Sequence, residues 1–238
     1  MAITHALPSS LTRSDRTRIQ DLYRNVSRFL SSAYVIPSVK RSPCSAAQRT
    51  NLYLLAEQVM AFNVPGDLVE FGCGSGTTTQ TIGMAWQAAG RSRGFHVYDD
   101  FGKGIEGRTS LKKQFVDRCI ESAMPLPRMH ECDLYHLEVD QLPERIAFAH
   151  IDLGAEEDPP RMAMLVRRIL EKVYPLMTPG AICVLMDYHD PARTVKGWDH
   201  SPGIKLGVDR FLLDKPETIS VLFGEEYSHA FFRKVRAS

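Results

Sequence analysis

Cysteine is sparse and unpaired in this chain of 238 residues: Cys44, Cys73, Cys119, Cys132 and Cys183 are scattered, without a CxxC spacing. That argues against a structural zinc site or a disulfide framework and fits a reducing, cytoplasmic setting. Cys73, Cys119 and Cys183 stand among apolar or small residues and read as buried spectators. An excess of either charge is also missing. The count of 29 Lys plus Arg against 28 Asp plus Glu gives no electrostatic reason to expect nucleic acid or an anionic membrane as partner, so a small molecule is the expected ligand. Long apolar runs are lacking too: Ala181 to Met186 falls far short of the roughly 20 residues that cross a bilayer. The segment MAITHALPSSLTRSDRTR has no apolar stretch of the secretory type. No internal repeat and no low-complexity tract interrupts the chain.

What is present suits one substantial core, with an apolar fraction of 44%. Ile19, Leu22, Val26, Phe29 and Leu30 recur at helical spacing, predicting an amphipathic helix over residues 14–30. Its pattern would be the same packed on its own domain or on a second copy in a homodimer. Ser45 and Gln48 form a capping-box pattern ahead of Leu52, Leu55 and Val59, predicting a second helix that Pro65-Gly66 closes. Residues 1–64 therefore read as a helical extension packed on a main domain of residues 65–238.

From Asp67 the periodicity changes. DLVEF, GFHVYDD, RMHECD, IAFAHID and AICVLMD are strand-like and alternate with helical stretches at TTTQTIGMAWQAA, around Leu111, Phe115 and Ile120, and at MAMLVRRILEKVY. Such alternation predicts a doubly wound, Rossmann-like α/β domain with a mainly parallel sheet. After Asp187 come a long polar loop, a short helix at VDRFLLD, and TISVLFG and HAFFRKV, which can pair as a hairpin.

The sharpest local signal is Glu70-Phe71-Gly72-Cys73-Gly74-Ser75-Gly76, followed by Thr77. An acid closes a strand, and three alternate glycines lead into a helix whose first amides can donate to a polar group. The dinucleotide fingerprint is GxGxxG, whereas this turn reads GxGxG, which makes a nicotinamide dehydrogenase the least favoured reading. The spacing resembles the first motif of class I methyltransferases, in which the acid, here Glu70, is placed to meet the amino group of the methionine moiety of S-adenosylmethionine. Asp99 and Asp100 end the next strand, where a carboxylate can accept from both ribose hydroxyls. Asp133 ends the third strand, at the place for adenine or for capping the next turn.

GDLVEFG, VYDDF, AHID, MDY and GIKLGVDRF, in this order between Gly66 and Phe211, resemble the macrocin O-methyltransferase (TylF-type) family. The resemblance implies methylation of a sugar or natural-product hydroxyl. It also implies Mg²⁺ held by Asp152 and by Asp187, the second member of an Asp pair. Met186 replaces the first member of that pair, and Gly154 replaces a further Asp that serves as candidate base. A thioether is a poor ligand for a hard cation, so two sites stay open: one with Mg²⁺ on Asp152 and Asp187, and one without metal in which these carboxylates orient the acceptor or take its proton.

His189, after Asp187-Tyr188, is the candidate replacement base, and its ordinary pKa of about 6.5 suits that role. His150, inside an apolar strand, reads as a core histidine. Glu157 matches a family glutamate but sits in a charged run with Glu156 and Asp158. HDPARTVKGWDHSPG, around Trp198, reads as a loop that covers the acceptor. The alternatives are a metal-independent N- or O-methyltransferase on another scaffold and a cofactor-binding protein without catalysis.

Overall fold

The structure, a computed structural model, describes residues 44–90, 93–102, 110–154, 158–189, 202–224 and 228–235. The helix expected over residues 14–30, Glu157 and Trp198 lie outside the described residues.

The first described helix, α1 (Ala46–Ala61), starts where the capping box predicts. Ser45 Oγ accepts from the Gln48 amide at 3.0 Å, and Gln48 Oε1 accepts from the Ser45 amide at 2.8 Å. The chain then runs β1 (Asp67–Phe71), α2 (Thr77–Ala88), β2 (Phe95–Asp99), α3 (Leu111–Glu121), β3 (Arg128–Glu131), β4 (Ile146–Ile151), α4 (Pro159–Val173), β5 (Met177–Leu185), α5 (Pro202–Leu212), β6 (Ser220–Leu222) and β7 (His229–Arg233). The seven strands form one sheet in the order β3-β2-β1-β4-β5-β7-β6. The first five are parallel, and β7 joins β5 antiparallel with β6 on its outer side.

Strand order proceeds in opposite directions from β1, toward β2 and β3 on one side and toward β4 and β5 on the other. Right-handed crossovers in opposite directions put α2 and α3 on one face and α4 on the other. They also leave a crevice between β1 and β4 at the carboxyl ends of the strands. Central strands buried on both faces read as continuous apolar runs, and β4 is buried throughout: Ile146, Ala147, Phe148, Ala149, His150 and Ile151. Helix α1 packs beside α2 and against β5, while α5 packs along α4.

Several boundaries differ from the expectation. Helix α5 begins at Pro202 rather than Val208, because Ile204, Gly207, Val208 and Phe211 together bury one face, and proline suits a first helical turn. Strand β5 begins at Met177, four residues before the apolar run, and β6 is only three residues long. Ile120, expected on the apolar face of α3, is 68% exposed; Phe115 and Cys119 carry that face instead. No described helix is long and apolar enough to cross a membrane.

Candidate active site

The glycine turn leaves β1 at the crevice. Gly72 has φ +80°, and a Cβ there would stand 1.7 Å from the Asp152 carbonyl oxygen, so the chain leaving β4 occupies the space a side chain would need. Gly74 has φ +49° with nothing within 4 Å of where its Cβ would point, and it lines a cavity. Gly76 caps α2 in the left-handed conformation and offers no side-chain hydrogen bond, so the first amides of α2 have no side-chain cap.

The cavity holds about 370 Å³ and is walled by the turn (Gly72 to Ser75, Thr77, Thr78), by Asp99, and by Asp152, Leu153 and Gly154 after β4. Met186 and Asp187 after β5 complete that side. Thr77 Oγ1 is buried there without a hydrogen-bond partner. A second cavity of about 220 Å³ shares Gly72, Asp99 and Leu153 with the first. It continues past Asp100, Cys132 and Asp133 to Tyr135, Met162 and Leu165, and Tyr135 Oη is buried without a partner. Buried hydroxyls without partners are uncommon. Here one belongs to a lining residue of each of two adjoining cavities, which fits an extended, partly polar ligand.

Asp99 lies on the shared wall. Its Oδ2 accepts from the Gly74 amide at 2.7 Å and its Oδ1 from the Phe101 amide at 2.5 Å. Burial pushes its carboxyl above the ordinary range, against the pull of those two amides. Asp100 is exposed, accepts from the Gly102 amide at 2.7 Å and borders the second cavity. Asp133 caps the turn Leu134–His136, accepting from the Tyr135 amide at 2.9 Å, and it also lines the second cavity.

Glu70 is placed differently from the residues around it. It is completely buried and is not among the residues lining either cavity. Thr78 Oγ1 donates to Oε1 at 2.7 Å, Thr79 Oγ1 donates to Oε2 at 2.5 Å, and His150 Nδ1 lies 3.0 Å from Oε1.

Asp152 and Asp187 are both on the first cavity and partly buried. Asp187 has φ +56°, in the left-handed region that aspartate enters more readily than most residues. Burial pushes the Asp152 carboxyl up to about 7; Asp187 and Glu70 add to the rise and His150 opposes it. His189, expected as a base, is buried and is not a lining residue of this cavity. Asp152 and Asp187 are two carboxylates that could hold a hydrated Mg²⁺, beside the Met186 thioether, a poor ligand for it; no three His, Cys, Asp or Glu side chains converge among the described residues. Lining residues that the sequence did not mark as site candidates include Cys44 and Gln48 at and just before the first turn of α1, Leu111, and Tyr135. Gln48, a polar residue of the capping box, is 1% exposed, a burial that its sequence pattern does not signal.

No family model and no curated protein matches the chain. Solved structures do match. The chain is similar to the O-methyltransferase NovP, with a TM-score of 0.61 and 17% identity over 80% of each chain. It is similar to CalS11, a TDP-rhamnose 3'-O-methyltransferase of calicheamicin biosynthesis, with 0.55 and 20% identity over 94% of this chain and 95% of that one. TomG of Streptomyces achromogenes, an O-methyltransferase involved in tomaymycin synthesis and solved with SAM, gives 0.54 and 13% identity over 91% and 99%. The chain has the fold of these enzymes. At such identities the likeness is one of fold, and the chemistry has to be argued from the site.

Proposed function

We propose that the protein is an S-adenosylmethionine-dependent O-methyltransferase acting on a hydroxyl of a small natural-product or sugar acceptor. The observation that carries this reading is the pair of adjoining cavities at the switch point, each with one buried, unpartnered hydroxyl, joined across Gly72 and Asp99. The fold likeness adds weight, since CalS11 acts on TDP-rhamnose and TomG serves tomaymycin synthesis.

In this reading the amides of Ser75 and Thr77 and the Thr77 hydroxyl hold the amino-acid end of the cofactor. Asp99 and Asp100 take the ribose, and Asp133 and Tyr135 border the base. Glu70 contributes a negative charge behind the turn rather than a contact. When bound, the cofactor supplies a methyl group on a positively charged sulfur. The protein's share of the chemistry is to hold the acceptor oxygen in line in a partly dry site and to receive its proton. Asp152 is the residue for that proton, because it lines the cavity and its carboxyl is raised toward neutrality. Asp187, on the same wall, orients the acceptor hydroxyl. No step is assigned to His189 or to a metal.

The test is calorimetry with S-adenosylhomocysteine, run beside NAD, followed by a methyl-transfer screen on hydroxylated small molecules. Binding of the homocysteine product with no affinity for NAD supports the reading. Folded protein that prefers NAD, or binds neither, overturns it. Binding without turnover on any acceptor would leave a cofactor-binding protein.

A further inference from the structure

His150 is the one polar residue in a strand otherwise made of Ile146, Ala147, Phe148, Ala149 and Ile151, and it is completely buried. It pairs in register with Glu70 on β1 and Val184 on β5. Both threonine hydroxyls donate to Glu70, and the carboxylate can only accept, so the hydrogen between His150 and Glu70 sits on Nδ1. The other ring nitrogen, Nε2, is buried without a partner. Any aliphatic residue at this position would avoid burying an unpaired nitrogen. The histidine therefore carries a desolvation cost, and its single polar contact is with Glu70.

Glu70 in turn grips the first turn of α2 at two successive residues, Thr78 and Thr79. These follow directly on Thr77, which, like Ser75 and Thr78, lines the cavity. With no side-chain cap on α2, this internal grip is a polar tie between the first turn of the helix and the sheet.

We infer that His150 is a positioning residue for the cofactor turn: by donating to Glu70 it fixes the carboxylate that holds Thr78 and Thr79, and so sets the direction of the α2 amides. The inference rests on the methyltransferase reading only for the choice of ligand in one of its two tests.

The variants are His150→Leu, which removes the donor, and His150→Asn, whose amide N–H falls where Nδ1–H stands. His150→Gln, whose amide falls at the Nε2 position instead, substitutes for the leucine variant if that one does not fold. Val166→Ala, in the α4 layer, is the control for a general loss of stability. Below the unfolding temperature, His150→Leu is expected to weaken S-adenosylhomocysteine binding by about tenfold to a hundredfold, the range for a hydrogen bond to a charged group. His150→Asn is expected to recover affinity to within about threefold of wild type, and Val166→Ala to lower Tm with affinity unchanged. The second readout needs no ligand: amide exchange over residues 72–79 should quicken about tenfold in His150→Leu, recover in His150→Asn, and stay at the wild-type rate in Val166→Ala. Equal exchange and equal affinity in the leucine variant and wild type overturn the inference, as does an asparagine variant no better than leucine. If wild type itself does not bind the ligand, the methyltransferase reading fails, and the exchange rates alone decide the role of His150.

Discussion

The Gly74 amide donates to Asp99 Oδ2 across 2.7 Å, tying the middle of the glycine turn to the end of the neighbouring strand. The carboxylate that the ribose hydroxyls are expected to reach is thus the same one that holds the turn in shape, and it stands on the wall common to both cavities. Asp99→Ala should therefore act twice, loosening the turn and removing the acceptor. Calorimetry should show at least a tenfold loss of S-adenosylhomocysteine affinity, since bonds to a charged acceptor are worth about 1.5–3 kcal/mol. Asp99→Asn, which keeps one accepting oxygen, should lose less. An alanine variant with wild-type affinity would remove Asp99 from the site.

Thr77→Val and Tyr135→Phe make a second test, in which stability and affinity move in opposite senses. Each deletes a buried hydroxyl that has no partner in the free protein, so Tm should hold or rise. Each also deletes a bond to the bound ligand, so affinity should fall by about 1 kcal/mol, or roughly fivefold. Unchanged affinity in both variants would mean that the two cavities do not house one ligand.

The Asp152 carboxyl, pushed up to about 7 by burial, makes a paired prediction for pH. Its folded value is raised above its unfolded one, so the folded state holds the proton more tightly. That contribution to stability is complete below the ordinary carboxylate range and is lost as pH climbs toward 7. Asp152→Asn should escape the loss, with a Tm at pH 8 equal to or above that of wild type. A base is competent only when deprotonated, so wild-type kcat/KM should rise with an apparent pKa of about 7. The asparagine variant should lack that limb and run some 10²–10⁴-fold slower. An asparagine variant with the wild-type pH profile would rule out Asp152 as the proton acceptor.

Gly207 illustrates how packing can reverse a local preference. Alanine is favoured over glycine inside a helix by about 1 kcal/mol, yet a Cβ at residue 207 would lie 2.3 Å from Val166 Cγ1 and 2.6 Å from the Ala163 carbonyl oxygen. Overpacking of this kind costs about 1–3 kcal/mol. Gly207→Ala should lower Tm, and thermal unfolding that shows a rise would mean that α4 and α5 separate easily.

Most of the architecture was legible before any coordinates because its signals are local. The capping box at Ser45 and Gln48, the strand DLVEF, the glycine turn and the order of strands and helices depend on residues a few positions apart. Boundaries set by distant packing were less legible. Pro202 looked like part of a polar loop because Gly203 and Gly207 read as loop residues; against α4 they are the small residues that allow close contact, since a Cβ at Gly203 would lie 2.5 Å from Met162 Cβ.

By itself the sequence determined the class of fold, the position of the glycine turn and the candidacy of Asp99, Asp133, Asp152 and Asp187, because spacing along a strand or turn fixes where such residues emerge. Only the tertiary structure decided which of them share a cavity and which stand behind its wall. Glu70 and His150 are 80 residues apart in sequence and 3.0 Å apart in space. Gln48 reaches the same crevice from a helix that precedes the sheet. Such neighbours are chosen by register between strands and by the packing of helices on them, and neither is written in any short stretch of chain.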